Sequence, residues 1–375
     1  MAIGTSRFKI AVIGHTGRGD YGHGIDTVWL HMPECRIVGV ADPDEAGQVA
    51  AMNRLHAPVG YADWRQLLDE TKPDIVAICP RWVDQHHEMV MGAAERGIHV
   101  YIEKPLCRTL EEADQLVEVI ERHRVKLAIA FPTRYSPVVT RIRRMLEDGA
   151  IGELLEMRGR GKEDRRGGAE DLWVLGSHLA NIMHYLAGQP NWCFAQVMSD
   201  GHRTTRADVH DGNEGFGPLA GDAIQAMYGW ASGLTGYLAS LRNQKSSSRS
   251  RFGLHLMGSA GIIKVSSGYL PVAYYLPDPS WRPGDSGVME VPISSAGPGE
   301  PEPIVVPAGR SATDLGNQAA CQDLLEAIEQ DRQPEANIYE ARAAVEMIVA
   351  TFESHRCLAP VELPLKTRVN PLTRL

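Results

Sequence analysis

A chain of 375 residues has the length of about two ordinary domains, and its 43% hydrophobic and 23% charged residues are typical of a globular protein. The formal net charge of −9 argues against a nucleic-acid-binding surface, which requires a basic face. No apolar run reaches the ~20 residues of a membrane-spanning helix, and the N-terminal segment enters a strand too soon for a signal peptide. We therefore expect a cytoplasmic protein that binds neither nucleic acid nor membrane.

No two cysteines have the C-x-x-C spacing of a zinc knuckle, and no disulfide framework is indicated. His202, His210 and Asp211 suggest a metal site, but a solvated loop is favoured because their spacing fits no ligand geometry, and no metal is expected. The cysteines are expected to be reduced structural residues: Cys35, Cys79, Cys107, Cys193, Cys321 and Cys357.

The stretch FKIAVIGHTGRG, residues 8–19, joins an apolar run to a glycine-rich turn. The apolar run is typical of a strand buried on both faces of a parallel sheet. Backbone N–H groups opening the helix after such a turn can hold a pyrophosphate. Gly14 and Gly19 match the first and third glycines of G-x-G-x-x-G, whereas Thr16 stands at the second and Gly17 follows it. An ordinary strand-to-helix turn remains the alternative for this stretch alone.

The next strand, RIVGVADPD, ends in Asp42. An acidic residue at this place hydrogen-bonds the adenosine ribose of a dinucleotide and repels a 2′-phosphate, which favours NAD over NADP. Arg18 argues the other way, because its guanidinium could accept a 2′-phosphate. The gap from Gly14 to Asp42 is longer than usual, and the extra loop GDYGHG accounts for the surplus.

Short apolar runs alternate with helical patterns through the first third of the chain, which predicts a parallel, doubly wound sheet. Thr109 and Glu112 form a capping box that opens one of these helices. The predicted strands are 9–13, 36–41, 74–79, 98–102 and 126–131, and the predicted helices are 62–70, 86–95 and 110–123.

Two segments follow predicted strands at their carboxyl ends, where ligands collect in open α/β sheets. Pro80 ends one strand, so Arg81 and His86 are candidates for lining a cofactor cleft, although a solvated arginine and a capping histidine are equally consistent. The triplet EKP, which contains Glu103 and Lys104, follows another strand. A strongly hydrated lysine in a cleft favours a functional role over an ammonium that only reaches out to solvent.

These motifs resemble the Gfo/Idh/MocA oxidoreductases, named after glucose-fructose oxidoreductase and inositol dehydrogenase. The resemblance is carried by AVIGHTGRG, VADPD, EKP with TLEEADQL, AFPTRYSP, GELLEMRGRGKEDRRGG and LWVLGSHLANIMHYLAG. It implies an N-terminal Rossmann domain, residues 1–131, that binds NAD or less favourably NADP. It also implies a substrate-binding and oligomerisation domain, residues 132–375, with a large, mostly antiparallel open sheet that packs in homodimers or homotetramers.

The resemblance also implies site residues. The lysine of EKP carries over onto Lys104, and the histidine of the family's D-x-G-x-H-x-x-D segment carries over onto His178. Val174 stands where the family has its first aspartate, and Asn181 stands where the later one is common. Valine can neither accept a proton nor orient an imidazole. The catalytic carboxylate therefore stays open, with Asp164 and Asp171 as candidates.

Oxidation of a secondary alcohol requires a base for the hydroxyl proton as the hydride leaves. Histidine titrates near physiological pH and suits that task, while an ammonium can hold and polarise the same oxygen. We therefore expect His178 to act as the base and Lys104 as the electrostatic stabiliser. Taken alone, His178 would fit better as a structural residue in a helix that Ser177 caps, and the EKP triplet and the surrounding segment reverse this preference.

Candidate substrate-binding residues follow the first domain. Arg134 and Tyr135 lie in the AFPTRYSP motif, and Asn181 follows His178 by three residues. If the segment from Glu156 begins as a strand, Arg158, Arg160 and Lys162 lie on one face, where basic donors would suit polyol hydroxyls or a carboxylate. A charged edge that discourages aggregation is an equal alternative.

The remaining sequence predicts antiparallel strands in AIQAMYGW, LTGYLASL, FGLHLMG and GIIKVS, followed by helices at 319–329 and 339–355. The segments 199–222 and 276–310, rich in Gly, Pro and Asp, are interpreted as functional lids or oligomer contacts.

We predict an NAD-dependent oxidoreductase acting on a hydroxyl-bearing carbon of a sugar, cyclitol or related polyol. The alternative is a redox-neutral glycosidase or lyase that works through a transient keto sugar, which the valine at position 174 slightly favours. A nucleotide sensor without catalysis is a third reading, and the presence of Lys104 and His178 argues against it.

Overall fold

The computed structural model describes residues 7–242, 251–280 and 287–375. The chain divides into two compact units. The first extends to Pro132 and includes Glu214–Phe216 and Thr313–Arg342, and the second comprises Thr133–Asn213, Gly217–Ala312 and Ala343–Leu375. The helical segment before residue 342 thus groups with the first unit, although the sequence suggested one boundary at residue 131.

The first unit contains a six-stranded parallel sheet in the order β3-β2-β1-β4-β5-β6. This strand order is that of a doubly wound dinucleotide-binding sheet, whose direction of winding reverses between β1 and β4. The expected parallel sheet is confirmed. Its strands are β1 Phe8–Ile13, β2 Cys35–Ala41, β3 Gly60–Tyr61, β4 Ile75–Ile78, β5 His99–Ile102 and β6 Leu127–Ile129.

The helices of the first unit cover the sheet with apolar faces. The bounds of α3, His86–Glu95, and α4, Leu110–His123, agree with those predicted. Neither α1, Glu45–Leu55, nor β3 was predicted, because α1 buries only Ala51 and Leu55 and β3 is two residues long. Thr109 caps α4 as expected, since its hydroxyl accepts a hydrogen bond from the Glu112 N–H at 3.1 Å. The helices are α1 Glu45–Leu55, α2 Trp64–Thr71, α3 His86–Glu95 and α4 Leu110–His123, with α8 Ala312–Glu329 later in the chain.

The helix expected after the glycine-rich turn is absent among the described residues. Between β1 and β2 the chain forms turns and one short 3-10 helix, Val28–His31. Gly17, Gly19, Gly22 and Gly24 all have positive φ angles, between +66° and +90°, which a right-handed helix cannot contain. The expectation of a helix N-terminus facing a pyrophosphate here was therefore wrong.

The second unit contains a ten-stranded sheet in the order β17-β16-β15-β14-β7-β13-β12-β8-β18, with β9 on β8. Only the pair β7 and β13 is parallel among the described strands of this sheet, so the expectation of a mostly antiparallel sheet is confirmed. Its strands are β7 Leu154–Arg160, β8 Trp192–Ser199, β9 His202–Arg203, β12 Ala223–Gly229, β13 Thr235–Leu241, β14 Gly253–Gly258, β15 Ile262–Ser266, β16 Ala273–Leu276, β17 Val291–Pro292 and β18 Val361–Glu362.

Alternate side chains of this sheet are buried, as in Trp192–Ser199, where every second residue lies inside. A hairpin, β10 His210–Gly212 with β11 Gly217–Leu219, stands apart from the sheet. The expected lid 276–310 includes residues 281–286, which lie outside the described residues. The helices are α5 Pro137–Glu147, α6 Ala169–Asp171, α7 Ser177–Ala187 and the greater part of α9 Ile338–Cys357.

A π-helix, Leu172–Gly176, connects α6 directly to α7. π-Helical turns are rare in proteins, and those that occur are frequently found at functional sites. Among the described residues, no helix is both long and apolar enough to cross a bilayer. All six cysteines are free thiols, as the sequence predicted.

Candidate active site

In the first unit, the carboxyl ends of β1 and β4 flank the point where the sheet reverses its winding. Dinucleotides bind in the crevice at this point of doubly wound sheets. A cavity of about 250 Å³ opens beside the end of β1, and Ile13, Trp64 and Met89 form part of its wall together with the polar side chains of Arg65 and Gln85. Apolar walls with a few polar groups suit a purine and its ribose.

Thr16, at the second position of the fingerprint, hydrogen-bonds to Asp42 through both its side chain and its backbone. Its hydroxyl donates to Asp42 Oδ2 at 2.7 Å, and its backbone N–H lies 3.1 Å from both carboxylate oxygens. Gly47 makes this possible, because a Cβ on that residue would lie 2.0 Å from Thr16 Oγ1. Threonine is therefore accommodated where a glycine is usual.

Asp42 is fully buried, and its carboxylate also accepts the Tyr21 hydroxyl at 2.9 Å and the Asp44 N–H at 3.0 Å. Its donors are thus supplied by the protein itself. The sequence predicted that this side chain hydrogen-bonds the adenosine ribose, whereas its hydrogen bonds to Tyr21 and Thr16 depend on contacts between separate segments of the chain.

Gly17 and Gly19 serve the turn in different ways. Gly17 has open space where a Cβ would stand, and its N–H donates to Asp20 Oδ1 at 2.9 Å. A Cβ on Gly19 would lie 2.5 Å from the backbone nitrogen of Arg81, so this glycine permits the turn to contact the segment after β4. A Cβ on Gly14 would lie 2.2 Å from the ring of Tyr21.

Arg18 and Arg81 both contact neighbouring parts of the first unit. The Arg18 guanidinium pairs with Asp84 and lies 5.0 Å from the centre of the Trp82 ring. Arg81 donates from Nε to the Gly19 carbonyl at 3.3 Å, and its guanidinium is 3.7 Å from Asp20. The pairing with Asp84 explains how an arginine can stand beside the turn without serving a 2′-phosphate.

His86, a candidate for the cleft, is fully buried at the start of α3. Its ring nitrogens lie 2.7 Å from the Pro80 carbonyl and 2.8 Å from the Pro105 carbonyl. Burial lowers the pKa of His86 below its usual value, while both carbonyls oppose that shift. The His86 side chain thus connects the segment after β4 to the segment after β5. It positions Pro80 in the first of these segments and Pro105 in the second.

Glu103 and Lys104 follow β5 and are 1% and 5% exposed. Glu103 accepts the backbone N–H of His23 at 3.0 Å, the His23 ring Nδ1–H at 2.6 Å and the Lys104 N–H at 3.0 Å. Burial opposes ionisation, but the His23 hydrogen bonds and the Lys104 charge outweigh it and lower the pKa of Glu103 to about 2. A carboxylate and an ammonium therefore stand side by side at the end of β5.

In the second unit, the π-helix delivers His178 and Asn181 into the first turns of α7. His178 is partly exposed, and its ring meets that of Phe252 edge to face at 6.4 Å between centres. Asn181 is fully buried, and Val174, in the π-helix, is 4% exposed. A buried apolar residue in the π-helix accords with the departure from the family pattern at this position.

The two candidate carboxylates differ in environment. Asp171 is fully buried, accepts the Ser240 hydroxyl at 2.5 Å and the Glu163 N–H at 3.1 Å, and has a pKa raised by burial. Asp164 is partly exposed; burial opposes its ionisation, but hydrogen bonds from Arg166 prevail and lower its pKa. A carboxyl group with a raised pKa has the property of a proton acceptor, whereas an arginine-paired one does not.

The candidate substrate residues also lie in the second unit. Arg134 is 9% exposed and stacks on the Tyr185 ring at 3.8 Å, and Tyr135, next to it, is partly exposed. Arg160 ends β7 and pairs with Glu163, while Lys162 lies beyond the strand, 3.6 Å from Asp164. The basic side chains were expected to follow one another along one face of a strand. The strand ends at Arg160, so Lys162 does not continue that face.

Tyr21 and His23, which hydrogen-bond to Asp42 and Glu103, were not predicted from the sequence as site residues. Both lie in the loop GDYGHG, which was interpreted only as an insertion. The glycines around them were a usable signal, because glycines at 22 and 24 imply backbone in close contact with neighbouring segments. The cavity residues Arg65 and Gln85 gave no such signal.

Residues 8–131 match the family model GFO_IDH_MocA, described as an oxidoreductase family with an NAD-binding Rossmann fold. The chain is 26% identical to levoglucosan dehydrogenase of Pseudarthrobacter phenanthrenivorans over 237 residues, 56% of this chain and 60% of that protein. It is 29% identical to a glycosyl hydrolase family 109 protein of Streptomyces niveus over 217 residues, 56% of this chain and 40% of that protein. The chain thus spans about half the length of these relatives.

A solved structure of levoglucosan dehydrogenase in complex with NADH and levoglucosan superimposes with a TM-score of 0.74 at 20% identity. The superposition covers 95% of this chain and 99% of that one, so it supports the fold of both units. Together with the family model, it confirms the architecture expected from the sequence. Residues 8–131 are therefore similar to the Gfo/Idh/MocA oxidoreductases, a family with an NAD-binding Rossmann fold.

Proposed function

We propose that this protein is an NAD-dependent dehydrogenase that oxidises a hydroxyl-bearing carbon of a sugar, cyclitol or related polyol. The observation that carries the proposal is Lys104, an ammonium enclosed to 5% exposure beside an ionised Glu103 at the carboxyl end of β5. Burying an ammonium is costly unless an opposite charge compensates for the lost hydration, and Glu103 supplies that charge. A positive charge at this edge of the sheet can polarise a substrate oxygen.

The crevice fits the adenosine half of NAD, since apolar walls and a few polar side chains surround a cavity of about 250 Å³. Bound NAD would supply the nicotinamide C4 that accepts the hydride. Gly14, Thr16, Gly17, Arg18 and Gly19 are proposed to form the cofactor turn. The other proposed cofactor residues are Asp42, Pro80, Arg81, Glu103 and Lys104, and His86 is proposed to act as a positioning residue behind Pro80 and Pro105.

His178 is proposed to take the hydroxyl proton while Lys104 stabilises the oxygen from which that proton leaves. The partial exposure of His178 at the start of α7 supports this role, because a base must be reached by solvent or substrate. For the carboxylate that assists the base, the raised pKa of Asp171 favours it over Asp164. The residues proposed to bind the hydroxyls of the substrate are Arg134, Tyr135, Arg160, Lys162 and Asn181.

We further propose that the chain works as 1–131 for the cofactor and 132–375 for substrate and self-association. A homodimer or homotetramer is supported by large apolar side chains on the open face of the ten-stranded sheet, where Phe194, Tyr237 and Tyr274 are 36–43% exposed. The free state of all six cysteines supports a reducing compartment, the cytoplasm.

The alternative of a redox-neutral glycosidase or lyase is not favoured. The match to the dehydrogenase covers 60% of that relative, whereas the match to the family 109 hydrolase covers 40% of that one. The two functions differ in one measurable respect, because only the dehydrogenase accumulates NADH.

The first experiment incubates the purified protein with NAD and a panel of monosaccharides, cyclitols, anhydrosugars and glycosides. The proposal expects a product lighter by two hydrogens and an equal amount of NADH. Cleavage of a glycoside without net NADH would contradict it and establish the alternative.

A variant completes this experiment. Lys104→Met should lower kcat about a hundred- to a thousandfold, because it removes the charge that stabilises the reacting oxygen. Lys126→Met is the matched control, since Lys126 is 8% exposed and pairs with Asp331 before β6, at the amino edge of the same sheet. Equal activity of the two variants would contradict the role of Lys104.

A further inference from the structure

The loop Asp20–Gly24, here the bridging loop, lies against the ends of two strands of the first unit. A Cβ on Gly22 would lie 2.7 Å from the Cys79 carbonyl and 2.7 Å from Glu103 Cγ. Cys79 follows β4, and Glu103 follows β5. The bridging loop therefore crosses the carboxyl edge of the sheet in direct contact with the backbone.

At one end of the bridging loop, Tyr21 contacts the glycine-rich turn and Asp42. Its hydroxyl donates to Asp42 Oδ2 at 2.9 Å, and its ring packs on Gly14. The Arg54 guanidinium lies 4.7 Å from the centre of the same ring. Burial and the Asp42 charge raise the pKa of Tyr21, which keeps its hydroxyl protonated as a donor.

At the other end, His23 contacts Glu103 through both its backbone N–H and its ring Nδ1–H. The histidine is itself held from the opposite side, because Asn317 Nδ2 donates to its carbonyl at 2.9 Å. The Tyr101 hydroxyl in turn donates to Asn317 Oδ1 at 3.0 Å. Two of the three N–H groups that face Glu103 therefore come from the bridging loop.

The two ends of this connection belong to strands that are not neighbours. In the order β2-β1-β4-β5, three strand spacings, about 14 Å in all, separate the ends of β2 and β5. Tyr21 and His23 have only one residue between them. One short loop thus joins two buried carboxylates across the point where the sheet reverses its winding.

We propose that Tyr21 and His23 are positioning residues that set the two halves of the cofactor site from one loop. Tyr21 orders the adenosine-diphosphate side through Asp42 and the glycine-rich turn. His23 orders the nicotinamide side through Glu103, which in turn fixes Lys104. This inference rests on the proposed function, in which Lys104 stands beside the nicotinamide and the reacting carbon.

The test compares two ligands, NADH and ADP-ribose, the latter lacking the nicotinamide. Tyr21→Phe should weaken both ligands about tenfold, the usual effect of losing a hydrogen bond to a charged group. His23→Leu should weaken NADH about tenfold and leave ADP-ribose within about twofold. His23→Asn keeps an N–H donor at the position of Nδ1, and it should restore the affinity for NADH.

Tyr339→Phe is the matched control. It removes a tyrosine hydroxyl from a carboxylate, Glu121, near the end of α4, away from the carboxyl edge of the sheet. Affinities are measured by calorimetry, and melting temperatures are recorded for each variant. The inference is overturned if His23→Leu weakens NADH and ADP-ribose equally, or if neither Tyr21→Phe nor His23→Leu differs from the control.

These affinities need no turnover, so the two proposals can fail separately. If no compound of the panel is oxidised, the substrate proposal fails while the affinities still decide the role of the bridging loop. If a sugar is oxidised but the variants do not discriminate between the ligands, the bridging loop is only a structural connection.

Discussion

Glu103 determines the electrostatics beside Lys104. A carboxylate that is 1% exposed would normally prefer to be protonated, because burial disfavours charge. Three N–H groups and the lysine ammonium reverse this preference. The pair therefore stays charged in a buried setting, and its stability depends on pH.

The pH dependence can be measured with Glu103→Gln. The folded-state pKa of about 2 lies below the ordinary value of 4.5, so the ionised group stabilises the fold above about pH 4.5. This contribution, up to about 3 kcal/mol over the full titration, is lost as the pH falls towards 2. The melting temperature of the variant should consequently fall less than that of the wild type between pH 5.5 and 3.5.

Glu95, an exposed residue at the end of α3, provides a control for this measurement, since Glu95→Gln should follow the wild-type profile over the same range. An identical acid dependence of Glu103→Gln and the wild type would show that Glu103 is not ionised in the fold.

For Asp42, the sequence predicts the position of the residue but not its hydrogen-bond partners. Its position at the end of β2 was evident from the sequence, because an apolar strand ends there. Its hydrogen bonds were not evident, because Thr16 and Tyr21 come from another segment of the chain. Which donors satisfy a buried carboxylate depends on packing between segments, and no local pattern records it.

At the scale of elements, the first turn of α1 packs against the glycine-rich turn. Gly47 stands in this helix, where glycine ordinarily costs stability relative to alanine. A Cβ there would lie 2.6 Å from Thr16 Cβ and 2.9 Å from Asp42 Oδ2. The second fingerprint position can therefore hold Thr16 instead of glycine, because the residue of α1 that faces it, Gly47, has no side chain.

Gly47→Ala should therefore weaken NADH binding about tenfold, because it displaces Thr16 and Asp42 from the turn. Thr16→Gly in the same chain should recover most of the affinity, since it removes the side chain that collides. Calorimetric titration of both variants measures this coupling. A double variant that binds as poorly as Gly47→Ala alone would contradict the account.

The turn between β1 and β2 departs from the sequence prediction for a related reason. A glycine-rich turn after a buried strand usually precedes a helix, and the fingerprint was interpreted in that way. In this chain the residues that follow are used to reach Asp42 and Glu103. Positive φ angles at four glycines permit that path and exclude a helix.

At the scale of the whole molecule, the open face of the ten-stranded sheet carries a row of side chains in register. Neighbouring strands place one residue each in this row, and several are large and apolar. From β16 to β8 the row reads Tyr274, Lys264, His255, Arg158, Tyr237, Met227 and Phe194. Such a face favours burial against a second copy of the chain.

Phe194→Asp should accordingly shift the protein towards the monomer, because it places a charge among the apolar side chains of this face. Sedimentation equilibrium at several concentrations measures the shift. Leu30→Asp, at a residue of the first unit that is 42% exposed, should leave the oligomer unchanged. A wild-type protein that is monomeric at all concentrations would contradict the proposed homo-oligomer.

The sequence by itself determined the alternation of strands and helices in the first unit and the place of EKP directly after a strand. These features follow from local periodicity, which each segment carries independently of the others. Only the tertiary structure decided that Tyr21 and His23 hydrogen-bond to Asp42 and Glu103. It also decided that no helix directly follows the glycine-rich turn. Those outcomes depend on contacts between distant segments, because buried charges take their partners from whichever part of the chain the fold brings beside them.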